Sequence, residues 1–234
     1  MSDSTANNPP IDPPSPAREP GQRSEPARVV PILSLITNRR LLVGKTLDDV
    51  VKETIEGGVN HVQLCELDLS ARDLLTLAEW LKQIIGGHAV LVIHDRVDVA
   101  LACGADGVHL LPSSLSTRVV RRLVGSHCLI GRSVDSINDA VRAAREGADY
   151  VQLGPVFATE AAPMARVLGV SSLQVAIREV SVPILASGGI NRTNVGQVSK
   201  SGVSGVTVQS SIMQAANPRQ AAQELHDEIS WAWG

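Results

Sequence analysis

Aromatic residues are nearly absent from this chain: they occupy 2% of 234 positions, with one tyrosine and one phenylalanine. Any core must therefore be filled by valine, leucine, isoleucine and alanine, the branched and small residues expected in the side-chain layers of a barrel. The chain is still 44% hydrophobic, with a mean hydropathy of +0.09. A soluble domain of this length can bury a full core.

The chain also has few cysteines and a small net charge. Cys65, Cys103 and Cys128 are odd in number and scattered, with no Cys-x-x-Cys pair, so neither a disulfide framework nor a zinc site is expected and a reducing cytoplasm fits best. A net charge of −3 gives no electrostatic basis for binding nucleic acid. No apolar stretch approaches the roughly 20 residues that span a bilayer, so no membrane segment is expected.

The first 28 residues differ in composition from the rest of the chain. They contain seven of the 13 prolines, among polar and charged residues with little to bury. Such a segment cannot offset the entropy lost on ordering, which predicts an extended or disordered tail over residues 1–28 and a single domain over residues 29–234. The tail lacks the apolar region of a secretory signal. It is either a solvated tail or an arm that binds a partner.

A five-residue pattern, Gly-(Ala/Val)-(Asp/Asn/Ser)-x-Val, occurs four times, at residues 58–62, 104–108, 147–151 and 202–206. A glycine that ends a helix, a small polar residue and a β-branched run predict a helix stop, a turn and a strand start. The spacing of about 45 to 55 residues fits two βα units of a barrel, so the copies should precede alternate strands.

Other apolar runs lie between the repeats, at residues 32–36, 89–93, 128–133 and 182–186. Together they make eight strands and predict a (β/α)8 barrel. Thr46, Ser70 and Ser136 each have an aspartate three residues later and fit helix starts, and Pro218 fits the first turn of a last helix. In this fold the chemistry lies where the strands end.

Two loops at the predicted ends of strands seven and eight favour phosphate binding. The seventh strand ends in Gly188-Gly189, and the eighth is followed by Ser210-Ser211. Paired glycines let the backbone come close to a ligand, and these two loops form the phosphate site common in such barrels. The sequence therefore predicts a small phosphorylated metabolite as the partner.

Strands three and four end in polar residues that allow two interpretations. His94 and Asp95 end the third predicted strand, and His109 lies in the fourth. These groups could transfer protons, and Asp95 could hold a magnesium ion. Alternatively, Asp95 caps the helix that begins at Arg96, and His109 fills the barrel floor.

In order along the chain, several of these segments resemble the family of thiamine-phosphate synthases and TenI-type thiazole tautomerases. The segments are residues 62–64, 94–110, 130–133, 147–159 and 187–190, and the resemblance extends over residues 31–226. It implies a substrate pocket that contains Gln63, Cys65, His109, Ser133 and Thr159. In this family the synthase joins a pyrimidine diphosphate to a thiazole phosphate with magnesium and releases pyrophosphate.

The chain departs from the family motifs at charged positions. Cys65 and Leu67 stand where the family has arginine and lysine, and Ala162 stands where it has a lysine that contacts pyrophosphate. Ser114 replaces the second magnesium carboxylate, and His94 replaces an asparagine. We therefore expect a weakened pyrophosphate and magnesium site, with magnesium as the candidate cofactor.

Three functions remain open: a thiazole phosphate isomerase, a weakened synthase, and a catalytically silent phosphate-binding or scaffold barrel. The isomerase is favoured at this stage, because it needs only a base. His94 and Asp135 are the candidate bases, Asp135 standing where the tautomerases have a histidine; the alternative role of Asp135 is a helix cap. A homo-oligomer is compatible with the sequence.

Overall fold

The computed structural model describes residues 31–233. The predicted tail over residues 1–28 and the predicted domain start at residue 29 lie outside the described residues. In the described part, eight parallel strands form one closed barrel, each paired with the next and β8 paired with β1. The strands are β1 Ile32–Ile36, β2 His61–Leu64, β3 Val90–His94, β4 Gly107–Leu110, β5 Leu129–Val134, β6 Tyr150–Leu153, β7 Ile184–Ser187 and β8 Gly205–Val208. The predicted (β/α)8 barrel is confirmed.

Helices alternate with the strands and form the outer layer. They are α1 Leu47–Glu56, α2 Ala71–Ile85, α3 Val97–Cys103, α4 Thr117–Val124, α5 Ile137–Arg145, α6 Val170–Glu179, α7 Val195–Ser199, α8 Ser210–Met213 and α9 Pro218–Trp233, with a 3-10 turn at Arg39–Leu41. None of these helices is both long enough and apolar enough to cross a membrane.

The local signals predicted most of these boundaries. The hydroxyls of Thr46, Ser70 and Ser136 accept hydrogen bonds from the backbone N–H groups three residues later, at the starts of α1, α2 and α5. Pro218 begins α9. The four repeats precede β2, β4, β6 and β8, and the first glycine of each copy has a positive φ. The repeat therefore marks alternate strands, as predicted.

The two faces of the strands have different compositions. Side chains between the sheet and the helices are aliphatic and fully buried, as at Leu33, Leu35 and Leu153. The alternate positions face the interior of the barrel and include polar side chains. The buried polar residues of the strands are Ser34, His61, Gln63, His94, His109, Gln152 and Thr207. The barrel thus has an apolar outer core and a polar interior.

Candidate functional site

A hydrogen-bonded network centred on Gln63 fills part of the barrel interior. The Gln63 side-chain amide donates to the hydroxyl of Ser34 and to Oε1 of Gln152, each at 2.9 Å. Its Oε1 lies 2.7 Å from Nε2 of His94. Ser34 in turn lies 2.7 Å from Nδ1 of His61. Because Gln63 contacts three other strands through one side chain, it holds the interior of the barrel together.

A second chain of hydrogen bonds runs through His109. Nδ1 of His109 lies 2.9 Å from the hydroxyl of Tyr150, and Nε2 lies 2.8 Å from the hydroxyl of Ser133. The rings of His94 and His109 stack with centroids 4.7 Å apart. The two predicted histidines are therefore in contact, and Ser133 is bonded to one of them.

Burial keeps the interior histidines neutral. Desolvation lowers the pKa of His61 to about 4 and that of His94 to about 3, and it holds the pKa of His109 well below its usual value. The imidazole of His94 thus lacks the near-neutral pKa that favoured it as a general base. The sequence pattern suggested a base at this position because it contains no information on solvent access.

Asp95 follows β3 directly and lies on the exposed rim of the barrel. Its φ of +59° is unusual for a residue with a side chain, and its N–H donates to the carbonyl of His109 at 2.9 Å. The alternative that Asp95 caps the next helix is wrong, because the cap residue of α3 is Arg96 and no side-chain cap bond forms. The carboxylate of Asp95 is thus exposed at the mouth of the barrel, next to His94 in the chain.

Asp135 follows β5 and is exposed as well. The alternative that it caps the following helix is wrong, since Ser136 occupies the cap position of α5. Asp135 contributes to a cleft of about 170 Å³ that Pro112, Arg132 and Ser133 also line. The two carboxylates therefore lie on the rim, whereas His94 and His109 lie inside the barrel.

The loop after β7 contains two glycines that pack closely against the β6–α6 loop. Gly188 and Gly189 have φ of +88° and +65°, and a Cβ on either would lie 2.4 Å from an atom of the β6–α6 loop. Within the described chain their N–H groups donate to no backbone or side-chain acceptor. The hydroxyl of Ser211, in the first turn of α8, is buried without a partner in the described residues. Gly188, Gly189 and Ser211 therefore have donors without a partner in the described residues, and Ser210 begins α8, which follows β8, the strand paired with β7.

Comparison with known proteins agrees with this geometry. A family model described as thiamine monophosphate synthase matches residues 33–212. The chain belongs to this family. It is 38% identical to the thiamine-phosphate synthase of Ruminiclostridium cellulolyticum over 194 residues, covering 82% of this chain and 92% of that protein. It is 36% identical to the thiamine-phosphate synthase of Clostridium tetani, with 82% and 93% covered.

Solved structures give the same result. Thiamine phosphate pyrophosphorylase from Pyrococcus furiosus superposes with a TM-score of 0.81 at 36% identity, covering 88% of this chain and 98% of that one. The 3-hexulose-6-phosphate synthase of Salmonella typhimurium superposes with a TM-score of 0.65 at 19% identity, covering 86% and 99%. The second likeness shows only the shared barrel fold.

Cys65, Leu67 and Ala162, at which the family resemblance implies cations, have these surroundings. The Cys65 thiol is half-buried, and burial raises its pKa to about 12, so it is uncharged. Leu67 is 63% exposed. Ala162 lies in a turn in which its N–H donates to the carbonyl of Thr159. None of these three side chains can attract a polyanion.

The residues present do not fit a magnesium ion held by the protein alone. Within residues 31–233, no group of three or more histidine, cysteine, aspartate or glutamate side chains is placed to hold a metal. Ser114, at the position of the second family carboxylate, accepts a hydrogen bond from the N–H of Leu111 and closes its own loop. Asp95 is therefore left as the single carboxylate of the predicted pair.

Several residues of the site were missed by sequence reasoning. His61, Tyr150 and Gln152 belong to the interior network, and their signal was a polar residue at every second position of β2 and β6, as in His-Val-Gln-Leu and Tyr-Val-Gln-Leu. Glu66 is a buried carboxylate that pairs with Arg39 at 3.0 Å. That pair connects loops that are 27 residues apart, which no local pattern reveals.

Proposed function

We propose that this chain binds a thiazole phosphate at the β7–β8 side of the barrel mouth and joins it to an activated pyrimidine slowly, as a weakened thiamine-phosphate synthase. The observation that carries the proposal is the set of unused donors at Gly188, Gly189 and Ser211. A phosphate needs several converging N–H and O–H donors, and glycine allows the backbone to approach it.

The proposed reaction needs little from the protein beyond positioning and anion stabilisation. The bond between the pyrimidine methylene carbon and the pyrophosphate oxygen breaks, with the electron pair leaving on pyrophosphate. The thiazole nitrogen then forms the new C–N bond. The interior of the barrel suits a developing carbocation, because the enclosed side chains of His94 and His109 are uncharged.

Weakening is proposed because three side chains that the family resemblance places against the leaving group are uncharged here. Each preorganised donor to a developing anion is worth about 10²–10³ in rate. Cys65, Leu67 and Ala162 replace three cations of the family motif. The same replacements favour the second candidate, a catalytically silent barrel that binds the phosphate and does not turn over.

An isomerase receives less support than it did from the sequence. Of its two candidate bases, His94 is buried with a pKa of about 3, which leaves only Asp135, in the cleft that Ser133 also lines. The substitution His94→Asn should therefore change any turnover of a thiazole phosphate less than tenfold. A fall of 10²–10³ or more with binding intact would restore His94 as a general base.

The synthase proposal is tested by restoring the missing charges. Thiamine phosphate formation from both substrates and magnesium is measured beside the Ruminiclostridium cellulolyticum relative, and we expect at least a hundredfold lower turnover. The triple variant Cys65→Arg, Leu67→Lys, Ala162→Lys should regain at least tenfold. Turnover by the unaltered chain within tenfold of the relative would contradict the weakening, and no product from either form would support the silent barrel.

The phosphate cradle has its own test in thermal unfolding with a thiazole phosphate. A ligand at 100 times its Kd stabilises the folded state by about 2.7 kcal/mol. Gly188→Asp should abolish the shift, since it adds a negative charge beside the proposed phosphate site and displaces the loop that forms it. Gly87→Asp is the matched control, because Gly87 also has a positive φ but open space around it, on the opposite end of the barrel.

Since Gly188→Asp also collides with Pro155, Ser211→Ala provides a second variant that introduces no clash. It removes one unused hydroxyl and should reduce the affinity for thiazole phosphate about three- to tenfold. An unchanged shift in both variants would place the phosphate elsewhere.

A further inference from the structure

The hydrogen-bond chain Tyr150–His109–Ser133 has two possible directions. A neutral imidazole has one N–H donor and one acceptor nitrogen, and both nitrogens of His109 have partners here. Either the ring donates to Tyr150 and accepts from Ser133, or it accepts from Tyr150 and donates to Ser133. The first direction would activate the serine as a nucleophile, whereas the second would leave its proton free for a ligand.

The burial of Tyr150 decides between the two directions. Its hydroxyl has no partner within the described residues other than His109, and the residue is 7% exposed. If the phenol accepted from Nδ1, its own proton would be buried without an acceptor, which is costly. Tyr150 must therefore donate to Nδ1, so the ring proton lies on Nε2 and is donated to the oxygen of Ser133.

The backbone of β5 leaves room for the hydrogen bond between Tyr150 and His109. Gly131 lies opposite both Tyr150 and His109 in the barrel register. A Cβ at residue 131 would lie 2.5 Å from Nδ1 of His109 and closer still to the Tyr150 hydroxyl. Any side chain there would occupy the position of the hydrogen bond. Glycine at this strand position is thus explained by the contact between Tyr150 and His109.

We propose that Tyr150 and His109 are positioning residues that set Ser133 as a hydrogen-bond donor toward a bound ligand, and not as a nucleophile. Ser133 is half-buried near the end of β5, and its hydroxyl oxygen accepts the hydrogen bond from the Nε2–H group of His109. Within the described chain the Ser133 hydroxyl donates to no acceptor. It can therefore donate a hydrogen bond to an oxygen or nitrogen of a ligand at the mouth of the barrel. The choice of ligand rests on the proposed function, but the direction of the hydrogen bonds from Tyr150 through His109 to Ser133 does not.

The ring proton is measured first, by two-bond 15N–1H correlation spectra of the histidine rings in ligand-free protein. The signals of His109 are assigned as those whose chemical shifts change in the variant Ser133→Ala. We expect protonated Nε2 and unprotonated Nδ1 in the unaltered protein, and loss of this preference in Tyr150→Phe. A proton on Nδ1 would overturn the proposal.

The effect on a ligand is measured by titration calorimetry with thiamine phosphate. Tyr150→Phe should weaken binding about three- to tenfold, and the same substitution in a Ser133→Ala background should have almost no further effect. Equal losses in both backgrounds would show a merely structural role and overturn the proposal. The matched control is Thr207→Val, which removes another buried interior hydroxyl that has no partner in the described chain.

The two proposals fail separately. If the unaltered protein binds no thiamine phosphate, the proposed function is overturned, and the ring spectra still decide the direction of the hydrogen-bond chain. If thiamine phosphate binds but His109 carries its proton on Nδ1, the proposed function stands and the role of Tyr150 does not.

Discussion

The two faces of the same barrel strands are built on different principles. The outer face is aliphatic and is covered by helices, so its stability comes from burying apolar area. The inner face holds histidines, glutamines and hydroxyls, most of which bond to one another, while Nε2 of His61, Nδ1 of His94 and the Thr207 hydroxyl have no partner in the described residues. The outer face tolerates side chains of similar shape, whereas the inner network depends on specific hydrogen bonds such as those of Gln63 to Ser34, Gln152 and His94. The inner face is therefore the part that is sensitive to protonation and to loss of a single polar atom.

Acid should produce the largest difference between the faces. His61 and His94 have folded-state pKa values of about 4 and about 3, below the unfolded value near 6.5. Below pH 6.5 the unfolded chain therefore binds more protons than the folded chain, and stability falls as the pH falls toward 4. Each group costs about 1.4 kcal/mol per pH unit in that window, roughly 4 kcal/mol for the pair by pH 5.

The measurement is denaturant unfolding between pH 8 and pH 4.5. The variant His61→Gln removes one titrating group and should flatten the dependence. A free energy of unfolding that stays constant from pH 7 to pH 5 would show that the histidines are solvated and not enclosed.

A truncation on the outer face should have the next largest effect. Leu153 is fully buried between the sheet and the helices. Leu153→Ala should lower the free energy of unfolding by about 2–5 kcal/mol, through lost transfer energy and a cavity. The loss should not change between pH 8 and pH 6, since no titrating group is involved. A loss below 1 kcal/mol would mean that the outer layer collapses around the truncated side chain.

A polar-to-apolar change on the inner face should be smaller but more specific. Gln63→Leu keeps the approximate volume and leaves Ser34, His94 and Gln152 each without one partner. We expect a loss of about 1–3 kcal/mol in urea unfolding. Gln223→Leu on the exposed surface of α9 is the control and should change stability by less than about 0.5 kcal/mol. If Gln63→Leu and Gln223→Leu lowered the free energy of unfolding equally, the inner network would not contribute to stability.

Much of the fold could be predicted from local patterns. The repeated glycine motif preceded β2, β4, β6 and β8, and Thr46, Ser70 and Ser136 marked three helix starts. These signals are local, because a cap or a turn depends on residues within about four positions of each other. The same locality led to the two wrong alternatives at Asp95 and Asp135, where the true cap residue was one position later.

The positions of the candidate residues along the fold could be predicted from the sequence, but their burial and protonation could not. The sequence by itself determined which residues end each strand, and hence that Gly188, Ser211 and Asp95 lie near the barrel mouth, because strand ends converge when a parallel barrel closes. Only the tertiary structure decided that His94 is enclosed with a low pKa, that Gln63 reaches Gln152 across 89 residues, and that Tyr150 bonds to His109. Burial and hydrogen-bond direction depend on neighbours from other strands, which the order of residues along one strand does not specify.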